Sequence, residues 1–215
     1  MKVGIIGSGV VGQTLAEGFL RHGHEMMLGT RDPKRTVVQV WLAKTPGADG
    51  GTFSEAARFG DIVVLAVRGL VAERAIELAG ADNLAGKPLI DATNPLADEP
   101  PVEGVLKFTT GPNESLGERI QSLVPETQVV KAFNSVGAAC MVNPRYDQGL
   151  PTMFICGNSS EAKQRVEEVL SQFGWEACDF GGIVAARAIE PLCMLWCIPG
   201  FLRNEWTHAF KLLTR

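Results

Sequence analysis

Histidine is scarce, at three residues in 215, and the five cysteines (Cys140, Cys156, Cys178, Cys193 and Cys197) form no CxxC pair. Cys193 and Cys197 stand one helical turn apart, but no companion His or Cys pair completes a tetrahedral site, so no metal is expected. An odd cysteine count without a secretory leader argues against a disulfide framework and points to a cytoplasmic location. No serine lies in a GxSxG context, which removes the nucleophile elbow of the hydrolases. Basic residues number 20 against 24 acidic, for a formal net charge of -4. That balance offers no basic stripe, and a nucleic-acid partner is not expected. The most apolar late stretch, Ile183 to Leu202, is interrupted by Arg187, Glu190, Pro191, Pro199 and Gly200. Charges and prolines are costly in lipid, so this stretch reads as core or interface and no membrane partner is expected.

What the sequence does contain is an alternation of short apolar runs and amphipathic segments, the pattern of an α/β fold. Lys2–Ile6 and Glu25–Thr30 read as strands flanking a helix over Val11–His22, which Gly23 stops. Thr52–Phe53 marks a short third strand, and Ile62–Val67, Lys87–Ala92 and Gln128–Phe133 read as parallel strands covered on both faces. Leu96–Glu114 is a long connection before a helix over Ser115–Leu123. Thr152–Cys156 and Glu176–Phe180 are further strands around a helix over Ser160–Phe173, with Asn158 and Glu161 spaced as a capping pair. From Ile183 onward the chain reads as helical, broken near Pro199. The fold class is therefore a Rossmann-type, doubly wound, mostly parallel sheet over residues 1–142, with a small α-rich C-terminal extension over 143–215.

Gly7, Ser8, Gly9, Val10, Val11 and Gly12 form a GxGxxG run that leaves an apolar strand and opens an amphipathic helix. In that context Gly7 permits the tight turn, Gly9 lets a pyrophosphate approach the backbone, and Gly12 permits helix–strand packing. The helix N-terminus supplies donors and partial positive charge. At the end of the second strand an acidic residue would bind an NAD ribose and repel a 2′-phosphate. Here Thr30 and Arg31 stand instead, with Lys34 and Arg35 nearby, a set suited to NADP(H). Asp32 is the discordant charge, to be accommodated either by a side chain that points away or by capping of the next segment.

Together with VGIIGSGVVGQTLAEGFLRHGHE and LGTRDPKR, the segments IDATNPL, VVKAFNSVGA and FICGNSSEAKQRVEEVLSQFGWEACDFGGIVAARAIEPL occur in an order spanning most of the chain. The sequence thereby resembles the NADP oxidoreductase family typified by NADPH-dependent reductases of the deazaflavin coenzyme, related to the cytosolic domains of the six-transmembrane metalloreductases. The resemblance implies that Ser8, Gly9, Val10 and Val11 hold the pyrophosphate and that Thr30, Arg31 and Arg35 hold the 2′-phosphate. It also implies a nicotinamide site lined by Ala66–Val67, Asn94–Pro95 and the Gly137–Ala138 turn. The chain departs from the deazaflavin enzymes at Arg68–Gly69, where proline and tryptophan are more usual, and in its C-terminal segment.

Hydride exchange with a planar ring needs alignment more than an acid or base. The leading functional class is accordingly an NADPH-dependent reductase of a flavin, deazaflavin or quinone-like small molecule. Rivals are a reductase of small carbonyls or imines and a non-catalytic NADP(H)-binding redox sensor. Arg68, Asn134, Arg187, Glu190 and Met194 are the candidate acceptor residues, with an Arg187–Glu190 ion pair and a core Met194 as the structural alternative. Asn94 and Asn134 each end a strand, either contacting ligand or satisfying their own turns. Lys131 is the strongest candidate proton donor, but within the VVKAF strand run a structural role suits it equally. Trp196, Phe201 and Trp206 give the C-terminal segment an apolar surface for either a flavin wall or a homodimer interface.

Overall fold

A computed structural model describes residues 1–214. In chain order the elements are β1 (Lys2–Ile6), α1 (Val10–Arg21), β2 (Glu25–Thr30), α2 (Thr36–Lys44), β3 (Ala48–Thr52), α3 (Phe53–Phe59) and β4 (Ile62–Leu65). There follow α4 (Ala72–Ala79), α5 (Ala81–Leu84), β5 (Pro88–Asp91), α6 (Leu116–Leu123), β6 (Gln128–Lys131) and β7 (Thr152–Gly157). The chain closes with α7 (Ser160–Gln172), β8 (Glu176–Asp179), α8 (Ala186–Ile189) and α9 (Pro191–Arg203). One 8-stranded sheet runs in the order β3-β2-β1-β4-β5-β6-β7-β8. Neighbours from β3 to β6 are parallel, β6 meets β7 antiparallel, and β7 and β8 are again parallel.

Alternation along the central strands divides the core between the two faces of the sheet. Val3 and Ile5 of β1, with Ile62 and Val64 of β4, pack with Leu15 and Phe19 of α1 and Val166 and Leu170 of α7. Ile6, Val63 and Leu65 point the other way, onto Phe53, Ile76 and Ile120 of the opposite helices. Both faces are buried, which is why these strands carry continuous apolar runs rather than an apolar–polar alternation. The first core also takes Met153 and Ile155 of β7, so sheet and core both continue across residue 142.

Several local features differ from the sequence reading. The third strand lies at Ala48–Thr52, and Thr52–Phe53 is a helix start: the Thr52 side chain and Glu55 bond each other's backbone amides in a capping box. Ser159, not Asn158, caps α7, accepting from the Ala162 amide. Asn158 instead accepts from the Ile183 amide, across 25 residues. Helix α9 passes through Pro199 without a break. Buried Trp196 and Gly200, the latter packed against Trp206, hold its apolar face in place against the loss of one backbone bond. The turns from Ile183 to Arg203 form a stretch long and apolar enough to span a bilayer by length and composition, yet Glu190 within it is buried in contact with Lys131 of the sheet.

Candidate functional site

A cleft of about 560 Å³ opens at the carboxyl ends of β1, β2 and β4, where open parallel sheets bind ligands. Its floor is the turn from Gly7 to Val11. Gly7 has φ 133°, and a Cβ there would stand 2.2 Å from the Ala66 carbonyl. At Gly12 a Cβ would stand 1.9 Å from the Gly7 carbonyl, so only glycine allows α1 to lie this close to the strand end. Gly9 is different: a Cβ added there meets no protein atom within 4 Å. It caps α1 with no side-chain bond to the first amides, so those amides remain for an anion. These features fit a dinucleotide diphosphate.

Thr30, Arg31 and Arg35 line the far end of the cleft. Thr30 is buried, while both guanidiniums are exposed and free to close on a phosphate. Asp32 is turned into its own bend, where its Oδ1 accepts from the Lys34 amide at 3.0 Å, which removes the discordant carboxylate from the cleft. Lys34 itself is exposed and does not line the cleft. Helix α2 begins at the same place: its N-cap is Arg35, and Val37 reaches the cleft. Its macrodipole adds positive potential beside the arginines.

At the other end the lining runs through Ala66, Val67, Arg68 and Ala92. Just behind it, Asn94 Nδ2 donates to the Asn134 carbonyl at 2.9 Å, and Asn134 Nδ2 donates to the Ile189 carbonyl at 2.9 Å. The two asparagines therefore join the ends of β5 and β6 to the C-terminal segment. Phe133, directly before Asn134, has φ 63°, a strained value for a bulky side chain, held by its burial. Pro95 is tied by its carbonyl to the Thr109 amide at 2.7 Å. Ala138 opens a short turn over the main core, beside Gly137, on which Trp196 packs. Asn94, Pro95, Asn134 and Ala138 thus border the cleft without lining it.

Beneath them lies a charged cluster removed from solvent. Lys131 Nζ is 2.8 Å from Asp91 Oδ2, 2.8 Å from Glu190 Oε1 and 2.8 Å from the Thr93 carbonyl. Glu190 also accepts from the Leu116 and Gly117 amides at the start of α6, at 3.0 and 2.9 Å. Asp91 Oδ1 accepts from the amide and hydroxyl of Thr93. Burial by itself would lower the Lys131 pKa, but the facing charges of Asp91 and Glu190 outweigh it and leave it raised. With its three protons engaged, Lys131 braces the strand ends and is badly placed to serve as a proton donor.

Of the acceptor candidates, only Arg68 lines the cleft. Asn134 and Glu190 sit behind it in the buried network. Arg187 is exposed and grips Glu118 with two bonds, Nε at 2.9 Å and Nη2 at 2.7 Å, rather than pairing with Glu190. Met194 is half-buried on α9. Sequence reasoning missed Val37, Phe53, Val71, Arg74, Ala75 and Leu78, which form the cleft's walls on α2, α3 and the α4 region. The Thr52-x-x-Glu55 spacing announces α3. The β-branched Val37, Val38 and Val40 obscure α2, because they favour strand over helix.

Residues 2–95 match the family model described as NADP oxidoreductase, coenzyme F420-dependent. A crystal structure of a candidate F420-dependent NADP-reductase from Arthrobacter sp. fb24 superimposes with a TM-score of 0.93 at 34% identity, covering 100% of both chains. The F420-dependent NADP reductase of Methanocaldococcus jannaschii is 27% identical over 91% of this chain and 90% of its own length. Metalloreductase STEAP3 of Rattus norvegicus is 35% identical over 94% of this chain. The chain spans 39% of the length of that metalloreductase.

Proposed function

The chain belongs to the NADP oxidoreductase, coenzyme F420-dependent family, and from that premise we propose that it passes a hydride between NADP(H) and a planar flavin, deazaflavin or quinone-like ring. The observation that carries this is the character of the cleft. Among the described residues its lining has anion-binding groups and apolar walls, but no His, Tyr, Lys, Asp or Glu. Reduction of a small carbonyl needs a proton donor beside the new alkoxide, and the buried candidate, Lys131, is bound to three acceptors. A ring acceptor needs stacking and exclusion of water instead.

NADPH, when bound, supplies the hydride. The Gly9 turn and the first amides of α1 would hold its diphosphate, and Thr30, Arg31 and Arg35 its 2′-phosphate. Ala66 and Val67 would support the reactive ring, with Asn94 and Asn134 bordering it. Stopped-flow oxidation of NADPH by FMN, a deazaflavin, a quinone and a panel of small carbonyls and imines tests the assignment. Ring acceptors are expected to react orders of magnitude faster. Faster reaction of an imine or keto acid overturns it, and no turnover with any acceptor favours a cofactor-binding sensor.

The same proposal places the protein in the cytoplasm, acting on a small molecule without a nucleic-acid or membrane partner. Leu195, Phe201 and Leu202 of α9 are exposed, and a second copy of the chain is the proposed cover. Light scattering reads the oligomeric state, and a monomer at micromolar concentration rejects the homodimer.

A further inference from the structure

Of the four arginines that line the cleft, Arg68 and Arg74 would be left unused by bound NADP(H). In the proposed binding mode, the 2′-phosphate takes Arg31 and Arg35, and the diphosphate takes the amides at Gly9 and the start of α1. Arg74, also on the cleft wall, pairs with Glu77 one turn along its own helix in a bridge as short and nearly as exposed as that of Arg68, so position rather than availability sets Arg68 apart. Arg68 stands at the opposite end from Arg31, next to Ala66 and Val67, where the reactive ring would lie and where a second substrate must enter. Its backbone is pinned: Gly69 lies so near the Asn94 carbonyl that a Cβ there would stand 1.9 Å from the oxygen. Its side chain is not pinned. Among the described residues the guanidinium pairs only with Asp98 Oδ1, at 2.6 Å, and the two side chains are 67% and 78% exposed. An ion pair so exposed is weak and exchanges readily for another anion. No acidic residue of the cleft lining opposes an anionic ligand there.

We propose that the acceptor carries an anionic side group and that Arg68 reads it, releasing Asp98 to take the ligand. The inference rests on the ring-acceptor function above and adds the charge of the substrate. Arg68 then selects among rings of equal reactivity, because its bond is made to the side group and not to the reacting atoms.

FMN and riboflavin share one ring and differ by a phosphate, so the ratio of their kcat/KM values with NADPH isolates that group. We expect the intact protein to favour FMN by about tenfold, the scale of one charged hydrogen bond. Arg68→Gln should bring the ratio close to one, Arg68→Lys should restore part of it, and Asp98→Asn should raise it. Added salt should lower it. A ratio of one in the intact protein, or a ratio that Arg68→Gln leaves unchanged, overturns the inference while leaving ring reduction standing. Failure of both rings to oxidise NADPH overturns the underlying function and this inference with it. NADPH affinity is titrated separately, since an equal loss there in Arg68→Gln would assign the guanidinium to the cofactor diphosphate and also overturn the proposal.

Discussion

Lys131 Nζ and Glu190 Oε1 lie 2.8 Å apart with both side chains closed off from solvent, joining the end of β6 to the start of α9. Asp91 completes the cluster from β5, so one ammonium and two carboxylates come together from three separate parts of the chain. Removing the cation leaves both carboxylates buried and facing each other. Lys131→Met should therefore cost about 3 to 5 kcal/mol in denaturant unfolding. Adding Glu190→Gln to that variant should recover part of the loss. An unchanged midpoint for Lys131→Met would show that the cluster does not brace the fold.

The same cluster sets a response to alkali. The folded pKa of Lys131 is raised, because Asp91 and Glu190 outweigh the opposing effect of burial. A raised pKa gives stability that is complete below the unfolded lysine value and is lost as pH rises through the folded value. Thermal unfolding followed upward from about pH 10 should thus show a loss in the intact protein that is absent in Lys131→Met. Parallel curves for the two proteins would argue against this linkage.

Cofactor choice should follow Arg31. If Arg31 holds the 2′-phosphate as proposed, replacing it by alanine removes a charged bond worth about 1.5 to 3 kcal/mol, so NADPH binding should weaken roughly tenfold or more. NADH affinity should barely move. Fluorescence titration of both cofactors checks it, and equal affinities in the unaltered protein would contradict a 2′-phosphate site.

Two glycines of the same loop should separate folding from binding. Gly12→Ala drives a methyl group to within 1.9 Å of the Gly7 carbonyl and should lower the melting temperature as well as NADPH affinity. Gly9→Ala touches no protein atom and should melt near the unaltered protein, yet its methyl group intrudes where the diphosphate approaches. An affinity loss of about tenfold without a stability loss is the expected signature. Full NADPH affinity in Gly9→Ala would place the diphosphate elsewhere.

By itself the sequence determined the features that depend on near neighbours. The glycine loop is legible because Gly7, Gly9 and Gly12 act within one turn, and the proposed 2′-phosphate site is legible because Thr30 ends a recognisable strand and Arg31 follows it. The parallel strands β1, β4, β5 and β6 announce themselves as apolar runs, since each is covered on both faces. What joins distant segments was decided only by the tertiary structure. Lys131 and Glu190 are far apart in the chain, and nothing near Lys131 says whether it donates a proton or sits locked between two carboxylates. Arg187 pairs with Glu118 and not with Glu190, its neighbour in sequence, because Glu190 turns inward to Lys131 and the α6 amides while Arg187 remains at the surface. Arg68 acquired its place at the cleft mouth, and its loose partner Asp98, only when β4 and the long segment after β5 came together. Such pairings depend on which buried charges find compensation and which remain in water, a balance set by the whole packed chain rather than by residue spacing.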